Sequence, residues 1–281
     1  MNKLTLLIGL LLLSVSGFSQ HIGVMTFNIR LNVASDSANA WPNRKAFAAS
    51  QILFHDAQLV GVQEALFDQM LDLQAALPGY KYVGVGRDDG KEKGEFSAIF
   101  YDSARFKALK QGTFWLSLTP TVPGSKSWDA AITRIVSWAY FQDLKTKKKF
   151  WMFNTHFDHI GKIARANSAR LLMEEVQRMA GKEQVIVTGD FNATVNDEPI
   201  QIIEQAAPPL KLINTLYVTK TPHYGPSGTF NGFKSAELSD FAIDHIYLKN
   251  GGTVLKHATL SQTWKGRFSS DHFPVYALIK L

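Results

Sequence analysis

Nine short apolar runs are spread along the chain, and most of them stop at a residue able to bind a metal or move a proton. They are HIGVMTFNI, LVGVQ, YKYVGVG, FSAIFY, RIVSWAYFQD, FWMFNTH, QVIVTGDFN, AIDHIYL and PVYALIKL. Brevity, richness in Val, Ile, Phe and Tyr, and bounding Gly, Asn, Asp or Pro mark them as strands. Several are apolar throughout instead of alternating, so the sheets they build are covered on both faces. Three- and four-residue apolar spacing predicts helices over Trp41 to His55, Leu66 to Ala76 and Lys162 to Met179, the first with Pro42 in its opening turn. The class is layered α/β. Four stretches with little pattern, 32–39, 87–94, 119–129 and 219–239, are too long for idle connections and are expected to form the rim of a cleft.

The first nineteen residues have another purpose. Lys3, the apolar run Leu4 to Leu13, and small residues at Gly17 and Ser19 have the layout of a secretory signal peptide. The apolar run is shorter than the roughly 20 residues that span a bilayer. Residues 20–281 are then a single domain without a transmembrane segment, exported to the periplasm or the exterior. The sequence has no cysteine, so a metal in it must be held by oxygen or imidazole. The net charge of +6 suits polyanionic partners. Its one basic run, Lys145 to Lys149, lies between two apolar stretches and reads as a solvated hairpin turn.

A buried carboxylate or amide needs partners, which a strand interior rarely supplies. If the strand ends meet at one sheet edge, Asn28, Glu64, His156, Asp190, Asn192, Asp244, Asp271 and His272 line one basin. In VIVTGDFNAT, Gly189 is expected to allow a tight turn, after which Asp190 and Asn192 point the same way and can orient a water and a phosphoryl oxygen. In isolation that segment reads first as an Asx turn, and the company of the other motifs turns it toward a site. SSDHFP offers Asp271 and His272 as a metal or water ligand and a general base. Asp244, in AIDHIYL, can fix the tautomer of a catalytic imidazole. FNTHFDH supplies His156 with Asp158, LVGVQEAL ends in Glu64, a hard ligand for Mg²⁺, and MTFNIR places Asn28 after the first strand.

These six motifs, in this order over Val24 to Leu278, resemble the endonuclease/exonuclease/phosphatase superfamily. The resemblance implies a four-layered α/β sandwich in which two facing mixed β-sheets are flanked by helices, with the site at one edge. It implies a metal-dependent phosphoesterase using Mg²⁺ or Mn²⁺ bound by Glu64, Asn28 and Asp271. Asp190 and Asn192 would orient the attacking water and the phosphate, His272 paired with Asp244 would be the base, and His156 would contact the phosphate. Glu95, in KGEFSAIFY, matches the acid that supports the first histidine, and Arg134, in ITRIVSW, matches a position reaching the scissile phosphate. One metal or two remains open.

The substrate is less sharply defined. The segment around Asp244 lacks the tryptophan-cysteine-aspartate-arginine run of inositol polyphosphate phosphatases, and QEA lacks the lysine usual in abasic-site endonucleases. GTFWLSLTPTVPGSKSWDAAITR is similar to secreted bacterial members loosely like the nocturnin and deadenylase branch. A phosphodiester such as nucleic acid or a nucleotide is placed ahead of phospholipid headgroups and of sugar or inositol phosphates. A binding protein that kept the fold and lost the chemistry is the rival of another class. Trp115 is expected to pack, Trp128 either to stack on substrate or to pack. Arg87 and Lys91 to Lys93 read first as an exposed charged loop. His159 is expected close behind the site, and His245 should point away from Asp244. His21, His55, His223 and His257 have no motif company.

Overall fold

The computed structural model describes residues 21–234 and 240–281. The expected leader lies outside these, as does the end of the 219–239 loop. In chain order the elements are β1 (Ile22–Asn28), α1 (Trp41–Phe54), β2 (Leu59–Gln63), α2 (Phe67–Ala76), β3 (Tyr80–Val83), β4 (Ile99–Asp102), β5 (Phe106–Trp115), β6 (Ile135–Asp143), β7 (Lys149–His156) and α3 (Lys162–Ala180). There follow β8 (Val185–Asp190), α4 (Glu198–Glu204), β9 (Ile213–Asn214), α5 (Thr215–Val218), β10 (Asp244–Lys249), β11 (Thr253–Thr259) and β12 (Val275–Lys280). A short 3₁₀ segment covers Ala34–Asn39.

Two six-stranded mixed sheets face each other, in the orders β11-β12-β1-β2-β4-β3 and β5-β6-β7-β8-β10-β9. Their inner faces share a core that includes Val24, Leu59, Phe141, Met152, Ile246 and Ile279. Outside the first sheet, Trp41, Ile52, Met70 and Leu73 of α1 and α2 pack on Phe27, Val60 and Val62. Outside the second, Leu172, Val176, Ile200 and Ile203 of α3 and α4 pack on Phe153, Val187 and Tyr247. Each such side chain, fully buried, contributes about 1.5–3 kcal/mol before the entropy of ordering is subtracted. The result is the four-layered sandwich, and it explains why β1, β2 and β8 are buried at every position.

The strands that the apolar pattern did not mark are β5, β11 and the two-residue β9. All three lie at or beside a sheet edge, and β5 is exposed or half-exposed through its middle. One face and one flank in water remove the selection for a continuous apolar run.

The sheets touch most closely near one end, across a polar bridge. Gln63 Nε2 donates to Asn154 Oδ1 (2.7 Å) and to Thr26 Oγ1 (3.0 Å), while Thr188 Oγ1 donates to the same Asn154 oxygen at 2.9 Å. Asn154 Nδ2 in turn donates to the carbonyls of Val62 and Ala98 at 2.8 and 2.9 Å. Gly61 makes this approach possible, because a Cβ there would lie 2.2 Å from Thr188 Oγ1. Gly189 has a related role and not the expected one. It lies inside β8, where a Cβ would meet the Thr155 carbonyl at 2.6 Å, so it permits close strand pairing, and the turn falls instead on Asn192 at φ 46°.

Candidate active site

Topology gathers the strand ends. β1 pairs parallel with β2, and β7 with β8, so each sheet contains a strand-helix-strand crossover whose two strands finish at the same edge. Those four ends carry Asn28, Glu64, His156 and Asp190. β10 runs antiparallel to β8 and sets Asp244 opposite Asp190. β12 runs antiparallel to β1, which returns the preceding residues Asp271 and His272 to that edge. The Lys145 to Lys149 turn joins β6 to β7 at the far end, about 25 Å away along the eight residues of β7.

Asp190 is the hub. Its Oδ2 accepts from Asn28 Nδ2 at 2.9 Å and lies 3.4 Å from His156 Nε2 and 3.8 Å from His272 Nε2. Its Oδ1 accepts the backbone N–H of Asn192 at 2.8 Å, so the segment is an Asx turn and a site component at once. Burial and the neighbouring Asp244 hold the Asp190 carboxyl above the ordinary carboxylate range.

His272 Nδ1 lies 2.9 Å from Asp244 Oδ2. Asp244 is fixed in turn by Thr229, whose Oγ1 donates to that same oxygen at 2.6 Å. Burial lowers the affinity of His272 for a proton, but the carboxylates of Asp244, Asp190 and Asp271 outweigh it and push its pKa well above that of free histidine. With Nδ1–H held by Asp244, the nitrogen that faces the cavity is Nε2. The rim loop 219–239 contributes Phe230, whose ring stands edge-on to His272 at 5.1 Å.

His156 is the opposite case. Its Nε2 lies 3.0 Å from Asn192 Nδ2, a donor that leaves the ring proton on Nδ1. That Nδ1 has no hydrogen-bond partner among the described residues, and Glu95 Oε2 stands 4.0 Å away. Burial, reinforced by Arg134 and Arg87, depresses the His156 pKa well below that of free histidine. Glu95 therefore adjoins the histidine it was expected to support, but its short contact is with Arg87 Nη1 at 2.6 Å. Arg87 is consequently not the exposed charge its loop implied. Arg134 is buried, 3.8 Å from Glu95 and 4.0 Å from Asp158, and its Nε and Nη1 have no hydrogen-bond partner among the described residues. Arg134 also lines the cavity, where a guanidinium whose donors are not all engaged suits an anion.

The acids at the mouth suit a cation. Glu64 and Asp271 approach the guanidinium of Arg30 at 3.9 and 3.8 Å, although its close partner is Asp36 at 3.1 Å. Burial keeps the Asp271 carboxyl above the usual range, and Glu64 adds to this. Hard oxygen donors of this kind, without any thiolate, match Mg²⁺ or Mn²⁺. Asp190, Asp244 and His272 also offer ligand atoms within 4.8 Å of one another and could hold a metal ion. Asn28, expected among the ligands, is turned the other way. Its Nδ2 donates to Glu64 (3.1 Å) and Asp190, and its Oδ1 accepts the Arg30 backbone N–H at 3.0 Å. In this arrangement its amide nitrogen orients both acids. A cavity of about 470 Å³ opens over Glu64, Glu95, Arg134, His156, Asp190, Asn192, Asp271 and His272, bounded also by Leu31, Ile132, His159 and Phe230.

The other motif residues have local tasks. Asp158 accepts from the N–H groups of Ile160 and Gly161 at 2.9 and 2.7 Å, so it closes a loop. His159 lines the cavity with Nδ1 3.2 Å from Arg134 Nη2. His245 points away from Asp244, toward the Ala193 carbonyl at 3.2 Å. Trp115 is buried, its Nε1 donating to the Arg87 carbonyl at 2.6 Å. Trp128 sits at φ 57° in a turn. His223 and His257, which had no motif company, pair with each other through Nδ1 atoms 2.8 Å apart.

Residues 25–272 match the model of the Endonuclease/Exonuclease/phosphatase family. The chain belongs to that family. Among solved structures, an endonuclease/exonuclease/phosphatase of Bacteroides vulgatus is 35% identical, with 93% of this chain and 99% of that one covered and a TM-score of 0.89. A mannosyl-6-phosphatase of Bacteroides thetaiotaomicron is 38% identical over 92% of this chain and all (100%) of its own, with a TM-score of 0.87. The human nocturnin catalytic domain, at 18% identity and a TM-score of 0.72 over 92% of this chain and 94% of its own, shares the fold. An uncharacterized protein of Acanthamoeba polyphaga mimivirus is 29% identical over 164 residues, 56% of this chain, and the match spans only 60% of that relative's length. As an endonuclease/exonuclease/phosphatase protein, the chain carries a phosphoesterase fold. No helix among the described residues is long and apolar enough to cross a membrane.

Proposed function

We propose that this protein is an exported, metal-dependent phosphatase of sugar phosphates. The observation that carries this substrate class is the near-full-length likeness, at 38% identity, to a mannosyl-6-phosphatase. Site chemistry agrees. The cations of the cavity wall, Arg30 and Arg134, and the adjoining Arg87 are each set against a carboxylate, and the basic Lys145 to Lys149 turn is at the opposite pole. A polyanion tracks along successive unneutralised cations, whereas a small phosphate ester needs one closed cavity. The order of preference drawn from sequence, phosphodiester first, is therefore reversed.

Glu64 and Asp271 would hold Mg²⁺ or Mn²⁺, with Asn28 fixing the Glu64 carboxylate. The ion supplies neutralisation of phosphate charge and stabilisation of the leaving oxygen. Arg134 donates to the phosphoryl oxygens, Asn192 holds His156 through the amide it shares between His156 Nε2 and the Phe157 carbonyl, and neutral His156 adds a dipole without excess charge. Asp190 and Asn28 orient a water beside His272 Nε2. The water oxygen bonds to phosphorus as its proton passes to Nε2, the bond from phosphorus to the sugar oxygen breaks, that oxygen takes up a proton from solvent so that the sugar leaves as its alcohol, and Nε2 afterwards returns its proton to solvent. Asp244 stabilises the imidazolium so formed.

A panel of mannose 6-phosphate, inositol phosphates, sphingomyelin, single-stranded DNA and RNA, each with Mg²⁺, Mn²⁺ or chelator, tests the reading by phosphate release and product size. Metal-dependent phosphate release from the sugar phosphate is expected. Cleavage of DNA or RNA with the sugar phosphate left intact would overturn it. Amino-terminal sequencing of the mature protein should begin at Gln20 if the leader is removed after Ser19.

A further inference from the structure

A second, larger cavity lies on the other side of the segments that frame the site. It measures about 740 Å³ and includes Asn39, Asn43, Phe47, Trp264, Lys265 and Arg267 in its wall. Arg44, also in that wall, is buried and spans the partition, donating to the carbonyls of Ile29, Arg30 (2.7 Å) and Ser269 (3.1 Å). Arg30 and Asp271 line the catalytic cavity. The two cavities are thus separated by segments 29–31 and 268–271.

Trp264 is held out deliberately. Its indole stacks on Phe47 with centroids 4.5 Å apart and planes inclined 12°, yet the residue remains 50% exposed. It begins a two-residue hairpin turn in which Lys265 and Gly266 take φ 51° and 75°, closed by reciprocal Trp264–Arg267 backbone bonds of 2.9 and 3.0 Å. Arg267 Nη1 ties that turn to the Ala38 carbonyl at 2.9 Å. One indole face is covered, the other is open, and the whole is pre-ordered. An indole held in this way, with one face free, is a platform ready for a flat apolar ring face.

We infer that this cleft binds the sugar rings that precede the phosphorylated residue, so that the substrate is a phosphorylated oligosaccharide and not a free sugar phosphate. The inference rests on the sugar-phosphate reading of the active site. A pyranose presents a flat C–H face to an indole and a ring of hydroxyls at its edge. The carboxamides of Asn39 and Asn43, the Thr263 hydroxyl and the cations Lys265 and Arg267 stand in the wall as partners for such hydroxyls, and among the described residues no carboxylate lines the cleft. A pre-ordered aromatic platform binds at low entropic cost.

The test compares mannose 6-phosphate with mannotriose phosphorylated at O6 of its terminal residue, using the full mature chain loaded with metal. The parent should show a kcat/KM ratio of about tenfold in favour of the trisaccharide, expressed in KM, as expected for one aromatic anchor. Trp264→Ala should bring that ratio close to one, and Trp264→Phe should restore most of it. Asn43→Ala, read the same way, covers the case in which Trp264→Ala fails to fold. A ratio near one in the parent, or an unchanged ratio in both variants, overturns the cleft and leaves the sugar phosphatase standing. If no sugar phosphate is hydrolysed, that reading fails separately. Calorimetry with unphosphorylated mannotriose then decides the cleft: saturable heat that is lost in Trp264→Ala supports it, and no heat refutes it. Binding of a DNA oligonucleotide lost in Trp264→Ala, with mannotriose silent, also refutes it.

Discussion

His156 and His272 lie on either side of one carboxylate, 3.4 and 3.8 Å from Asp190 Oδ2, and both are buried. They differ in the company each keeps. His272 is grasped at Nδ1 by Asp244, and the surrounding acids drive it toward the imidazolium. His156 meets an amide at Nε2, has nothing bonded at Nδ1 among the described residues, and is kept neutral by burial and two arginines. Environments that drive two like groups apart in this way divide the acid-base work between them. Under the proposed function, the carboxylate side moves a proton and the guanidinium side receives an anion without competing for that proton. An electropositive half and an electronegative half, meeting at Asp190, are what a phosphate attacked by water requires.

If this division holds, substitutions on the two sides should differ in kind as well as size. His272→Ala, removing the base, should lower kcat on the order of 10²–10⁴-fold while the thermal melt of the protein stays close to the parent's. Steady-state kinetics on any substrate the enzyme turns over will show it, and equal kcat in variant and parent would break the comparison at its centre. Arg134→Ala comes next, at about 10²-fold in kcat/KM, since it deletes the buried cation of the cavity wall that the proposed function sets against the phosphate. Its effect should reach KM as well as kcat. A loss confined to kcat with an altered pH profile would place Arg134 on the wrong side.

How much of this the sequence discloses depends on reach. Asp190, Asp244 and His272 are visible because each stands where an apolar run stops, and backbone topology alone then brings them together. Arg30, Arg44 and Arg87 are not, because a long side chain acts far from its own position. Arg44 reads as one cation in the first turn of a helix, yet it binds four carbonyls, those of Ile29, Arg30, Asn39 and Ser269. Gln63 and Asn154 interrupt apolar runs, a signal that could have identified the polar bridge between the sheets. β5 and β11 stayed unmarked since edge strands lack the two-sided burial that writes an apolar run.

Asp244→Asn sharpens the comparison through pH. A base works only when deprotonated, and a neighbouring carboxylate raises the pKa of an imidazole. The acid limb of kcat/KM in the parent therefore lies higher than it would without Asp244. Replacing that carboxylate by an amide lowers the His272 pKa, so the limb should move to lower pH under the same metal loading, while kcat falls about 10–100-fold because tautomer and orientation are lost. A limb that moves upward, or stays fixed while kcat falls, would detach His272 from the proton transfer.

Glu95→Gln should do least. At 4.0 Å from His156 Nδ1 the carboxylate makes no short bond there, and its charge is already met by Arg87 at 2.6 Å and approached by Arg134 at 3.8 Å. Burial raises the Glu95 pKa, and Arg87 is the chief force opposing it, so the carboxylate mainly steadies two guanidinium groups. The amide keeps the shape and one acceptor. The loss in kcat/KM is then about 2–5-fold, the worth of one modest hydrogen bond, with the acid limb unmoved because His156 carries no proton to titrate in that range. A loss matching that of Arg134→Ala would mean instead that Glu95 closes onto His156 once phosphate binds, and that the neutral side of the site is assembled by the substrate.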